Sequence, residues 1–171
     1  MGNTRQLTPF GAVAIGALFI ASGVFPILVG GGTIPRGDAD APAWVIGAAG
    51  ATFICAGLAV VLDYGIAGGV GPDNDLLPGT PTSVRVANLI LGLAIVGLMA
   101  AIAGWIAFGP GPRHFTTTLI VPFVPVPRRW ASGEWPGRVA FGVGSVLMAA
   151  MFVACAVSGV RRIAQSRSGR S

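Results

Sequence analysis

Residues 84–108 read VRVANLILGLAIVGLMAAIAGWIAF, and Arg85 is the only charge among them. As a helix, about 25 residues rise ~37 Å, enough to cross the ~30 Å hydrocarbon layer of a bilayer with some tilt. Three further stretches, 8–30, 42–63 and 136–160, have the same apolar character. The expected fold is therefore all-α: a membrane protein built as a four-transmembrane-helix bundle over residues 1–163. Residues 164–171 are expected as a mobile Arg/Ser-rich tail.

Composition bears on what the chain touches. Only 10% of its residues are charged, against about 25% in soluble domains, too few to cover a surface facing water. The net charge of +5 comes from eleven arginines without a single lysine. They sit in loops and at the ends of apolar segments, not in the dense patches of a nucleic-acid binder. That placement suits anionic headgroups, so the expected partner is a lipid bilayer, with no nucleic acid. The two cysteines, Cys55 and Cys155, lie inside apolar segments, as small packing residues do.

Along the chain, Pro9 suits a first helical turn and Gly30-Gly31-Gly32 a helix end, with Pro26 expected to kink or end the first helix. Trp44 marks one interface and Asp63-Tyr64 the other. Residues 65–83 read as a Gly- and Pro-rich loop. Asp73-Asn74-Asp75 within it lacks the later oxygen ligands of a calcium loop and reads as turn chemistry. Gly109-Pro110-Gly111-Pro112 stops the third helix. The connection that follows, 113–134, is long, apolar and Pro-rich. Pro122, Pro125 and Pro127 keep it from being a fifth crossing and favour an extended path along the surface. Pro136 opens the fourth helix, Arg138 can snorkel to the interface, and Arg161-Arg162 close it.

Four crossings put both termini on one side, with Arg5, Arg85, Arg161, Arg162, Arg167 and Arg170. Arg36, Arg113, Arg128, Arg129 and Arg138 fall on the other. The cluster near the C-terminus tips the balance toward cytoplasmic termini. Helix association in lipid needs close packing. Small residues four apart supply candidate faces: Ala12/Gly16, Gly47/Ala51, Ala100/Gly104 and Ser145/Ala149. Both halves of the chain read helix, Gly-rich stop, loop, acid, proline, helix.

Three segments, Pro42-Ala43-Trp44-Val45-Ile46-Gly47-Ala48-Ala49-Gly50, Gly104-Trp105-Ile106-Ala107-Phe108-Gly109-Pro110-Gly111 and Glu134-Trp135-Pro136-Gly137-Arg138, resemble small bacterial four-helix inner-membrane proteins. That resemblance implies bacterial origin, an inner (cytoplasmic) membrane and four helices, and no particular chemistry.

No ionisable residue falls at the centre of a span, where transport pathways and proton relays place them. His114 is the single histidine, so bis-histidine haem ligation within the chain is excluded. Ser22, Ser145 and Ser158 have no neighbouring base in sequence, and no Walker A, G-x-S-x-G or H-E-x-x-H pattern occurs. The expectation is a protein that is not an enzyme, with no catalytic, metal or cofactor residues. It is expected to be an accessory or scaffold subunit among other membrane-protein subunits. Its partner contacts would be Phe123, Arg128, Arg129, Trp130 and Trp135. The alternative is a small homo-oligomeric transporter or channel.

Overall fold

The computed structural model describes residues 8–35, 41–69, 76, 79–111 and 134–168. It contains α1 (Pro9–Gly30), α2 (Ala43–Val60) with a π-helical continuation (Val61–Ile66), α3 (Thr82–Phe108) and α4 (Glu134–Ser168). Four rods are long and apolar enough to cross a membrane: Pro9–Gly30, Ala43–Ile66, Thr82–Phe108 and Glu134–Arg162. Their apolar side chains point outward. Ala12, Val45 and Ala107 are the buried apolar residues among those described, while Phe10, Phe25, Leu18, Val146 and Leu147 stand exposed. Such an outside needs lipid around it. The chain is a multi-pass integral membrane protein, folded as a four-helix membrane bundle.

Local chemistry places most of the ends. Thr8 caps α1, its Oγ1 accepting from the Gly11 N–H at 3.2 Å, with Pro9 in the first turn. At the far end Gly32 takes φ +79. The Gly32 and Thr33 N–H groups donate back to Val29 (3.1 Å) and Leu28 (3.0 Å), satisfying carbonyls the helix leaves open. Pro26 does not end α1; the helix runs on to Gly30. Two boundaries lie beyond the apolar runs. The second helix passes Asp63 by widening into a π turn, where the Ala67 N–H reaches the Leu62 carbonyl at 2.8 Å. The fourth passes Arg161-Arg162 and stays helical through Ser168. Residues 164–168, expected as mobile tail, thus belong to a helix: Ile163, Ala164, Gln165 and the arginines tolerate helix well, and cations suit a helix C-terminus. Residues 169–171 lie outside the described part.

The rods stand in a row of two antiparallel hairpins. α1 packs on α2, α2 on α3 and α3 on α4, while among the described residues α1 and α4 make no comparable contact. The first hairpin closes backbone on backbone. Gly16 faces Gly57, Gly23 faces Gly50, and Gly30 faces Ala43. A methyl group on Gly50 would lie 2.5 Å from the Gly23 carbonyl oxygen, and one on Gly57 equally close to that of Gly16. Ile27 and Ile20 lie beside Gly50 and Gly57, and Ile54 and Val61 beside Gly23 and Gly16. The seam therefore repeats every seven residues, the spacing that keeps one contact line along two gently supercoiled helices. Phe19 and Phe53 meet next to it, ring centres 6.0 Å apart.

The second hairpin closes on side chains. Gly97 receives the ring of Phe152, Gly104 faces the Ser145 hydroxyl, Gly142 faces Phe108 and Ala107, and Gly159 receives Leu89. Ser145 donates across to the Ala100 carbonyl at 3.0 Å. Of the small pairs spaced by four, those of α3 and α4 contribute to this contact. In α2 the seam uses Gly50 and Gly57; the Gly47 backbone also meets Gly30, while the side-chain position of Gly47 itself opens on empty space.

Gly50→Ala should therefore destabilise the protein by about 1–3 kcal/mol, because the atom it meets is backbone and cannot step aside. Gly47→Ala meets nothing within 4 Å and should be neutral or stabilising by up to about 1 kcal/mol through helix propensity. Thermal unfolding of the two variants in one detergent separates them.

Candidate interaction surface

At one end of the row α1 finishes, α2 begins, α3 finishes and α4 begins. Trp44, Trp105 and Trp135 all sit there. Trp44 meets Trp105 edge-on at 6.3 Å, joining α2 to α3. An aromatic ring with a polar edge favours headgroup depth, so this end carries the aromatic belt.

The end of α3 is closed by a side chain from α4. Gly109 ends the helix, its N–H donating to the Trp105 carbonyl at 2.7 Å, and Gly111 turns the chain with φ +103. Proline at 110 and 112 and glycine at 109 and 111 offer no side-chain donor to the carbonyls left over. Arg138 supplies them: Nη2 donates to the Gly111 carbonyl at 2.6 Å and Nη1 to that of Gly109 at 3.3 Å. Its Nε lies 3.8 Å from the Glu134 carboxylate, one turn earlier on α4. The guanidinium thus sits at the negative end of the α3 dipole, with a carboxylate behind it. From the sequence Arg138 was expected to snorkel to the interface. Its bridge to α3 was missed, although the Gly-Pro-Gly-Pro break already signalled carbonyls in need of a cation.

Beside this bridge runs an apolar groove of about 550 Å³ between α3 and α4, lined by Phe108, Trp135, Gly142, Val143, Val146 and Leu147 among others. Phe108 and Trp135 flank its mouth, 76% and 72% exposed. Of the expected contact residues, Trp135 is placed here. Phe123, Arg128, Arg129 and Trp130 lie outside the described residues, as do His114 and Asp73-Asn74-Asp75.

The polar side chains within the spans are largely occupied by helix backbone. The Ser22 hydroxyl donates to the Leu18 carbonyl at 2.8 Å, Thr52 to Ala48 at 2.9 Å, and Ser158 to Ala154 at 2.8 Å. Cys55 and Cys155 are free thiols. Among the described residues no three His, Cys, Asp or Glu side chains gather as a metal site would require. Among the described residues this end presents shape and aromatic surface with one fixed guanidinium, that of Arg138. No family model, no curated protein and no solved structure matches the chain.

Replacing Arg138 by Gln should free the last turn of α3. Two charge-assisted hydrogen bonds are lost, at about 1.5–3 kcal/mol for such bonds. Amide exchange over residues 105–111 should rise, with Arg138→Lys falling between Gln and the native protein because it keeps the charge without the fork. Unchanged exchange in Arg138→Gln would show that α3 ends securely without it.

Proposed function

We propose that this protein is a non-catalytic accessory or scaffold subunit of a larger complex in a bacterial inner membrane, with its termini in the cytoplasm. The observation that carries the reading is the open edge of the row. Among the described helices α4 packs chiefly on α3, and Trp135, Phe108, Val146 and Leu147 are exposed along the groove between them. Large aromatic residues at the mouth of an apolar groove are what a neighbouring helix uses as an anchor. Phe123, Arg128, Arg129 and Trp130 extend the same contact in this reading. Serine and threonine hydroxyls bonded to helix carbonyls support a structural role over a catalytic one.

Purification from native membranes in a mild detergent should yield a large assembly with other chains. Trp135→Ala combined with Leu147→Ala should reduce recovery of those chains about tenfold or more, the effect of losing an interface hot spot, without lowering thermal stability. A lone homo-oligomer that carries solute across liposomes by itself would replace this reading with that of a small transporter or channel.

A further inference from the structure

The two hairpins are built on one register. Between α1 and α2 the seam pairs Gly16 with Gly57, Gly23 with Gly50 and Gly30 with Ala43. Between α3 and α4 the same levels recur. Gly97 receives Phe152, Gly104 faces Ser145, and the Gly111 carbonyl accepts from Arg138. Gly97, Gly104 and Gly111 keep the spacing of Gly16, Gly23 and Gly30, and Arg138, Ser145 and Phe152 keep that of Ala43, Gly50 and Gly57. The second hairpin thus repeats the pattern of the first, with larger side chains where α2 has glycine and alanine. Each unit holds two helices, so α1 and α3 run in one direction through the membrane, as parallel repeats do.

The junction between the units is also visible. α2 packs on α3, and Trp44 meets Trp105 there, ring centres 6.3 Å apart. Trp44 follows Ala43, and Trp105 follows Gly104. The residues in the same two places of the outer helices are Val139, which follows Arg138 on α4, and Val24, which follows Gly23 on α1. Both are 42% exposed. Val143, Val146 and Val153 share the face of Val139 at helical spacing and are exposed with it. Val13, Ala17 and Leu28 share that of Val24 and are exposed as well. Val139, Val143 and Val146 line the groove between α3 and α4. One end of the row therefore shows the face that α2 turns to α3, and the other end shows the face that α3 turns to α2.

We propose that a second copy of this chain docks at the α3–α4 groove, its α1 lying against α4 as α3 lies against α2. This docking rests on the reading of the groove as an interface and names its occupant. The contact is head-to-tail, so successive copies close into a ring or extend as a row according to the angle between units. All copies keep one orientation across the bilayer, because α1 takes the place and direction of α3. A symmetric pair through α4 alone or α1 alone would reproduce no junction that the chain already contains.

Disulfide cross-linking of the full chain in native membranes tests it, in a background of Cys55→Ala and Cys155→Ala. Val24→Cys together with Val139→Cys should give a ladder of dimers, trimers and larger products on oxidation. A bond within one chain does not account for such a ladder, and α1 and α4 make no comparable contact among the described residues. Each substitution alone should leave monomer. Ala17→Cys with Val146→Cys, one seam step deeper, gives the reading at a second level, including where the first pair does not fold. A dimer from a single variant would mean a symmetric pair and overturn the proposal, as would double variants that stay monomeric at both levels. Other chains recovered with copies that do not cross-link would overturn this docking and leave the subunit reading standing; a ladder with no other chain recovered would do the reverse.

Discussion

In a bilayer a leucine gains nothing by leaving lipid for another leucine, so apolar side chains that stabilise a soluble core give no drive to helix pairing. Close approach of backbones is what remains, and the first hairpin depends on it. Three contacts, Gly16 with Gly57, Gly23 with Gly50 and Gly30 with Ala43, bring α1 and α2 so near that no methyl group fits between. At that distance carbonyl oxygens and neighbouring CH groups are in direct contact, and many small dispersion terms add along the seam. The isoleucines beside the glycines then fill what the missing side chains leave open. The rest of the row is built out from this pair, through α2 onto α3 and from α3 onto α4.

The second hairpin answers the same constraint differently. Its glycines are notches for Phe152, Leu89 and Phe108 and a neighbour for the Ser145 hydroxyl, so side chains interlock where backbones do not touch. A polar tie at each level compensates: Ser145 to Ala100 within the span and Arg138 to Gly109 and Gly111 at its edge. The first tie uses a carbonyl within α3 and the second uses carbonyls of the turn that follows it, where lipid offers no donor. Among the described residues α1 makes no comparable contact with α4, so these helices leave one side of the hairpin uncovered. The two ends of that open hairpin differ in kind. One carries tryptophan, a groove and a guanidinium committed to backbone; the other carries Arg85, Arg161 and Arg162.

Much of the architecture was legible from short stretches of chain. Thr8-Pro9 and Gly30-Gly31-Gly32 bounded α1 because caps and left-handed turns depend on residues within a few positions of one another. Pro26 showed the limit of such reading. A proline costs one hydrogen bond, and α1 continues a further turn beyond it. The π turn around Asp63 and the helical run through Ser168 lay beyond what hydropathy marks, since a helix need not end where its apolar face does. The candidate surface was legible only in part: Trp135 was picked out by residue type, while the groove beside it requires α3 and α4 side by side.

The sequence by itself determined that there are four spans, because length and apolar character are properties of each segment alone and the bilayer thickness sets a sharp threshold for them. It also determined which residues lie at the membrane edges, since tryptophan and arginine partition there one at a time. Which glycines face which was decided only by tertiary structure. Spacings of four and of seven both occur in α1 and α2, and residues four apart share a face as surely as residues seven apart. The choice fell to the partner helix: Gly16, Gly23 and Gly30 form a seam only because Gly57, Gly50 and Ala43 run antiparallel in matching register. In the same way Arg138 becomes a cap for α3 only once α4 returns beside it.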